Sequence, residues 1–126
     1  MIVVLARATA DAFGPAYPAI AALIGALGAA MAGSNTVSNI TFSGFQFEAA
    51  GRVGAPRQLV VGAQAVGGAI GNLVAIHNLV AALATVGLVG SEGRVMRLNF
   101  IVLLYYSTAV GVLTMLFCYV FFPGLF

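Results

Sequence analysis

The stretch Ala12–Phe47, AFGPAYPAIAALIGALGAAMAGSNTVSNITFSGFQF, holds no charged residue, yet a polar cluster, Gly33-Ser34-Asn35-Thr36, interrupts it. A charge-free run of this kind belongs in a bilayer, whose hydrocarbon core takes roughly 20 apolar residues to cross. A break inside such a run exposes backbone N–H and C=O groups where no water can satisfy them. Membranes tolerate that only where the break lines a protein cavity or a substrate site. Two further stretches repeat the theme: Gln58–Ser91, broken at Gly71-Asn72 and His77-Asn78, and Leu98–Phe126. Together they imply a membrane protein with a transport role.

Composition agrees. Charged residues make up 6% of the chain and hydrophobic ones 62%, with a mean hydropathy of +1.10. Soluble domains carry about a quarter charged residues, so a water-soluble globule is excluded. The net charge of +2 rests on arginines without a lysine, too sparse a basic surface for nucleic acid. The charges gather in three flanks, Arg7 with Asp11, Glu48 to Arg57, and Glu92 to Arg97, which read as membrane-boundary loops. Arg52 and Arg57 balance Arg94 and Arg97, so the positive-inside rule leaves orientation open.

Met1–Ala6 is apolar but short, lacks a basic lead and meets Arg7 at once. It reads as the tail of an earlier helix rather than a signal peptide, and the chain as one part of a larger protein. Cys118 is the single cysteine, so neither a disulfide nor a metal site follows from it. No Ser/His/Asp set, metal-ligand cluster or phosphate-cradling loop is present, which argues against an enzyme and against a cofactor. Gly67-Gly68-Ala69-Ile70-Gly71 follows a membrane run rather than a soluble strand, and a dinucleotide site needs the strand.

The spacing predicts an all-α membrane architecture. A first helix over Ala16–Gly33, about 27 Å long, carries Ala21, Gly25, Ala29 and Gly33 on one face. Such a small-residue stripe lets a second helix approach closely. Gly33 suits a left-handed C-cap, and Ser34 or Asn35 suits the N-cap of a second helix over Thr36–Ala50, about 22 Å long. The pair fits a re-entrant hairpin over residues 16–50 with its tip near mid-membrane, two full spans being the alternative. Leu59–Ile76 carries a second small stripe, Ala63, Gly67 and Gly71, and weakens at Gly71-Asn72 and His77-Asn78 before Leu79–Val89 resumes. Residues 58–90 therefore read as one discontinuous helix. Ser91–Arg97 reads as a polar loop, and 99–122 as a closing transmembrane helix ending at Pro123-Gly124, with aromatics from Tyr119 to Phe122 near an interface. The order of small-residue run, polar break, shorter apolar run and arginine loop occurs twice, an architectural rhyme rather than a sequence repeat.

Two clusters carry the chemistry. At Ser34-Asn35-Thr36 a helix N-terminus offers free N–H groups and partial positive charge to an anion such as a carboxylate. The side chains add neutral donors and acceptors, and Asn39 shares their face. Neutral groups suit a site that must release its substrate, since a fixed cation at this depth is costly. The plainer alternative is that Ser34 merely caps a helix. At His77-Asn78, histidine is the natural proton carrier near neutral pH, or else a hydrogen-bond partner for unwound backbone. Gln64 lies two turns before Gly71 and either faces the same cavity or bonds one helix to another. Asn72 and Asn78 flank the break.

These motifs have a familiar combination. Gly33-Ser34-Asn35-Thr36-Val37-Ser38-Asn39 with Phe42, Phe45 and Gln46 resembles the C-terminal part of the bacterial L-lactate permease family. So do Gln64–Asn72 running on to His77-Asn78 and Ala81-Ala82, and Thr85–Gly90 with Glu92-Gly93 and Arg97. Three motifs in the right order, covering the chain from about Ala16 onward, make the resemblance specific. It implies proton symport of L-lactate, and often glycolate, across the bacterial inner membrane by a multi-pass protein. The family is similar to a wider group of ion transporters whose re-entrant hairpins carry a Ser-Asn-Thr tip. On that likeness Ser34, Asn35 and Thr36 form the hairpin tip of the second of two inverted repeats, and Asn72 to Asn78 the facing unwound segment. The two hold the substrate carboxylate and, in some members, sodium. Family members are several times longer, so the first repeat is expected from outside these residues or from a homo-oligomeric partner. The competing readings are a sodium-coupled carboxylate or anion carrier and a small structural or pore-forming homo-oligomer.

Overall fold

Gly33 takes φ 65° and ψ 18°, left-handed values that L side chains avoid, and the chain reverses there between two helices. The structure is a computed structural model in which residues 1–121 and Pro123 are described. Every regular element among them is helical. Helix α1 (Ile2–Phe13) passes through a short 3-10 turn, Gly14–Ala16, into α2 (Tyr17–Ala32). Then come α3 (Asn35–Val53) and α4 (Arg57–Gly71). A 3-10 turn, Asn72–Val74, and extended Ala75 separate α4 from α5 (Ile76–Thr85). Helix α6 (Glu92–Leu116) ends in a π-helical turn, Phe117–Phe121.

Two helical runs are long and apolar enough to cross a membrane, Ile2–Ala32 and Glu92–Phe121, and the bent pair Arg57–Val74 with Ile76–Thr85 makes a third if it acts as one broken span. The bend of that pair is 52°, so the expected discontinuity in residues 58–90 is present. Its bounds differ. The second part begins at Ile76 and ends at Thr85, not Leu79–Val89, because Gly87 and Gly90 both take positive φ. His77 and Asn78 accordingly lie in the first turn of α5 rather than in the break.

The charged flanks are also corrected. Arg7 and Asp11 lie exposed within α1, not in a loop, since nothing before Gly14-Pro15 breaks the helix. Ser91–Arg97 is not a loop either. Its residues form the first turns of α6, where Glu92 suits the positive helix end and its Oε1 accepts the Gly90 N–H at 2.9 Å. Polarity is not helix-breaking. Likewise Glu48 and Arg52 belong to α3, which runs to Val53 before the short Gly54–Pro56 turn. The closing helix starts at Glu92 instead of residue 99, and the expected end at Phe122 and Gly124 lies outside the described residues.

Helix α2 sits at the centre, packed on α3, α4 and α6. Its contact with α4 is backbone against backbone. A Cβ on Gly67 would overlap the Ala22 carbonyl, one on Gly71 the Ala26 carbonyl, and one on Gly25 the Gln64 carbonyl. Both small-residue stripes thus face each other, which is how membrane helices gain van der Waals contact without a hydrophobic drive. Gly111 brings α6 equally close to the Ala19 carbonyl. At the far end of α6 the Tyr119 hydroxyl donates to the Pro15 carbonyl at 2.8 Å, tying the π turn to the α1–α2 junction.

Large polar side chains fill what the glycines leave open. The Tyr17 hydroxyl donates to Gln46 Oε1 (2.6 Å). Gln46 Nε2 donates to the Ala21 carbonyl (3.2 Å) and to Gln64 Oε1 (2.9 Å). Gln64 Nε2 donates to Ser38 Oγ (3.1 Å), which in turn donates to the Gly25 carbonyl (2.9 Å). Tyr17, Gln46 and Gln64 are wholly buried, and each bond joins two of the helices α2, α3 and α4. Gln46→Leu would strand the Tyr17 hydroxyl and Gln64 Oε1, and each buried group left unpaired costs about 1–3 kcal/mol. The expected result is a clear drop in the thermal unfolding midpoint of the detergent-solubilised protein. An unchanged midpoint would remove the network from the fold's support.

Candidate functional site

The site grows from the two breaks. After Gly33 leaves the helix, Ser34 adopts an extended conformation and its Oγ accepts the Val37 N–H at 3.3 Å. That satisfies one of the donors that the first turn of any helix leaves without an intrahelical partner. The N–H groups of Asn35 and Thr36 belong to the same unpaired set. Ser34 therefore caps α3.

The second break approaches the same turn. Asn78 Nδ2 donates to the Gly33 carbonyl at 3.0 Å, and the His77 ring lies against Gly33 so closely that a Cβ there would overlap it. Gly33 is thus required twice, by its left-handed backbone and by the ring beside it. Asn35 lies over Gly68 of α4. A Cβ on Gly68 would overlap Asn35 Oδ1 and stand 3.6 Å from Asn39 Oδ1. Asn35 and Asn39 are one turn apart on α3, and Gly68 is the flat spot that receives both.

These carboxamides are not satisfied as those in the core are. The Oδ1 atoms of Asn35, Asn39 and Asn72 are buried with no hydrogen-bond partner. A buried acceptor without a donor is costly; Ser107 Oγ on α6 is in the same condition, and what makes this turn a candidate site is that two of the carboxamides meet over Gly68. Thr36 is exposed, as are His77 and Asn78, while Ser34, Asn35, Asn39 and Asn72 are half-buried. A groove of about 360 Å³ beside His77 is lined by Leu27, Ala30 and Met31 of α2, Val74 and Ile76 at the break, and Met96 of α6.

The structure therefore groups Asn35 and Asn39 against Gly68, places Ser34 at the cap of the same helix, and links His77 and Asn78 to that turn through Gly33. Gln64 stands one turn deeper, its amide bonded to Gln46 and Ser38. Of its two possible roles, the helix-to-helix bond is the one seen. Three contributors had no role assigned from the sequence: Gln46 and Ser38, quoted only within a family motif, which hold α3 in place, and Asn99, whose Nδ2 donates to the Leu73 carbonyl at 2.7 Å within the break. The signal available for Gln46 and Asn99 was an amide in a largely apolar run.

The contrast between the two sets of amides has a measurable consequence. Asn39→Ala removes an unpaired acceptor and improves helix propensity, so the unfolding midpoint should stay unchanged or rise by the equivalent of a few tenths of a kcal/mol. A large fall would assign Asn39 a structural partner and weaken its membership of the site.

Comparison with known proteins adds the following. Residues 1–121 match the family described as L-lactate permease. The chain is 35% identical over 115 residues to a protein of Haemophilus influenzae named putative L-lactate permease, covering 90% of this chain and 22% of that protein. It is 36% identical over 107 residues to the L-lactate permease of Escherichia coli (strain K12), covering 85% of this chain and 19% of the relative. To the glycolate permease of the same strain it is 31% identical over 108 residues, covering 86% and 19%. The chain thus spans about a fifth of the length of these relatives. No solved structure matches.

Proposed function

The chain belongs to the L-lactate permease family, and on that premise we propose that it forms part of a transporter moving L-lactate, and related 2-hydroxy monocarboxylates such as glycolate, with protons across the bacterial inner membrane. The observation that carries this reading is the meeting of two helix breaks at Gly33, through the Asn78 hydrogen bond and the His77 ring. Paired breaks in an apolar bundle are how secondary transporters build a midplane site from backbone ends.

In this reading residues 17–53 form a re-entrant hairpin with its tip at Ser34, residues 57–85 a broken helix facing it, and Glu92–Phe121 a closing transmembrane helix. Together they make the second of two inverted repeats in a multi-pass protein. The first repeat comes from the remainder of the polypeptide or from a second copy. The N–H groups at the start of α3 and the Ser34 and Thr36 hydroxyls receive the carboxylate, as anions bind at helix N-termini. Asn35 and Asn39 present carbonyl oxygens that suit the donor of a 2-hydroxyl, with Asn72 and Asn78 closing the site from the break and Gln64 supporting it from below. His77 carries the proton. No bound cofactor is needed for this chemistry.

Two experiments test the reading in the protein expressed from its complete reading frame, in cells without other lactate uptake. Asn35→Ala should reduce uptake of labelled L-lactate roughly tenfold while the amount in the membrane stays the same, since leaving the buried 2-hydroxyl without its acceptor costs about 1–3 kcal/mol. Normal uptake by the inserted variant would refute the site. With sodium replaced by choline throughout, wild-type uptake should persist and rise as the external pH falls, and His77→Gln should flatten that pH profile. Loss of uptake in choline would instead support sodium coupling, and an unchanged profile in the variant would return His77 to a structural role.

A further inference from the structure

Helix α4 does not run into α5 because Ala75 leaves the helical region with ψ 116°. The cost falls on the carbonyls just before it, which lose the N–H groups that a continuous helix would bring four residues later. In an apolar surrounding each such carbonyl needs another donor. The Asn72 carbonyl finds one within the turn, the Ala75 N–H at 3.3 Å. The Leu73 carbonyl finds one on a different helix, Asn99 Nδ2 at 2.7 Å. Asn99 is the one carboxamide in α6, and α6 packs directly on this 3-10 turn.

The bonded carbonyl occupies a telling position. Leu73 follows Asn72, whose Oδ1 is buried and unpartnered, and precedes by four and five residues the His77 and Asn78 that touch Gly33. On its other side the break is held at Gly33 by the Asn78 hydrogen bond and the His77 ring. Two amides thus clamp the non-helical segment, one to the α2–α3 turn and one to α6. Without the α6 clamp, rewinding of residues 72–76 toward continuous helix would give the Leu73 carbonyl an N–H partner, and that rotation would disturb the His77 and Asn78 contacts at Gly33.

We infer that Asn99 is a positioning residue for the substrate site: by supplying the donor that the broken backbone lacks, it keeps the α4–α5 discontinuity open in the geometry that presents Asn72, His77 and Asn78 to the Ser34–Asn39 helix end. The inference rests on the transport reading above. It places a support of the site on α6, a helix whose Met96 otherwise only lines the groove beside His77. It also makes any movement of α6 relative to α4 a movement of the break.

The test uses the protein from its complete reading frame with three substitutions. Asn99→Leu and Asn99→Ala remove the donor, the first with little change of size, and Asn99→Gln restores it on a longer arm. Initial rates of labelled L-lactate uptake give KM and maximal rate, and the protein in the membrane is quantified in parallel. The expected result is a KM raised roughly tenfold in Asn99→Leu and Asn99→Ala, as loss of one such bond implies, with maximal rate per inserted molecule changed less than KM. Asn99→Gln should recover part of the affinity. An unchanged KM in both donor-less variants overturns the role. So does a loss of uptake that tracks only the amount of inserted protein, or failure of all three variants to insert, since each makes Asn99 a folding residue. Absence of lactate uptake by the wild-type protein would instead bring down the transport reading itself, and so is distinguishable from failure of this inference.

Discussion

One buried side chain, Gln46, meets all three of the helices that frame the site. Its carboxamide accepts from Tyr17 and donates to the Ala21 carbonyl on α2 and to Gln64 on α4. In a bundle whose helices gain nothing from hydrophobic association, van der Waals contact and hydrogen bonds must specify the arrangement. The glycine contacts bring α2 and α4 together but permit sliding along their stripes. Directional bonds from Gln46 and Gln64 select one register, and Ser38 extends that choice along α3 to the Gly25 carbonyl. Because Ser38 lies one turn from the start of α3, the register of the core sets where the capped helix end at Ser34 is held.

The same requirement, that no backbone polar group be left dry, explains the breaks. Each interruption is matched by an amide from elsewhere: Asn78 for the Gly33 carbonyl, Asn99 for the Leu73 carbonyl. The core amides are bonded to one another, whereas those of Asn35, Asn39 and Asn72 keep an unpaired oxygen. That difference separates two uses of one residue type. Fully paired carboxamides specify a structure; unpaired ones cost stability.

Helix α6 stands apart from this arrangement. It touches α2 through Gly111, the break through Asn99 and the α1–α2 junction through Tyr119 beyond its end, yet Phe100, Ile101, Leu104, Tyr105 and Leu113 are exposed along it. Its other face packs along α2 and α4, with Leu103, Ser107 and Thr114 buried. A helix seated in this way can hold the second break without sharing in the core amide network.

Much of this was legible residue by residue. The apolar runs, the facing stripes around Gly25 and Gly67, the cap pair Gly33-Ser34 and the discontinuity after Gly71 follow from hydropathy, side-chain size and backbone preference, all of which are local. The helical character of Arg7–Asp11 and of Glu92–Arg97 was missed because charge was read as a boundary, while helix formation depends on breakers, and the breakers lie at Gly14-Pro15 and Gly87 to Gly90. The sequence by itself determined that this is a helical membrane protein with two polar breaks, and its motifs pointed to its family. Only the tertiary structure decided that the two breaks meet at Gly33, that Gln64 bonds to Gln46 in the core, and that Asn99 serves the Leu73 carbonyl. Those pairings span 45, 18 and 26 positions. An amide's partner over such a distance depends on how the helices pack, and no local preference encodes it.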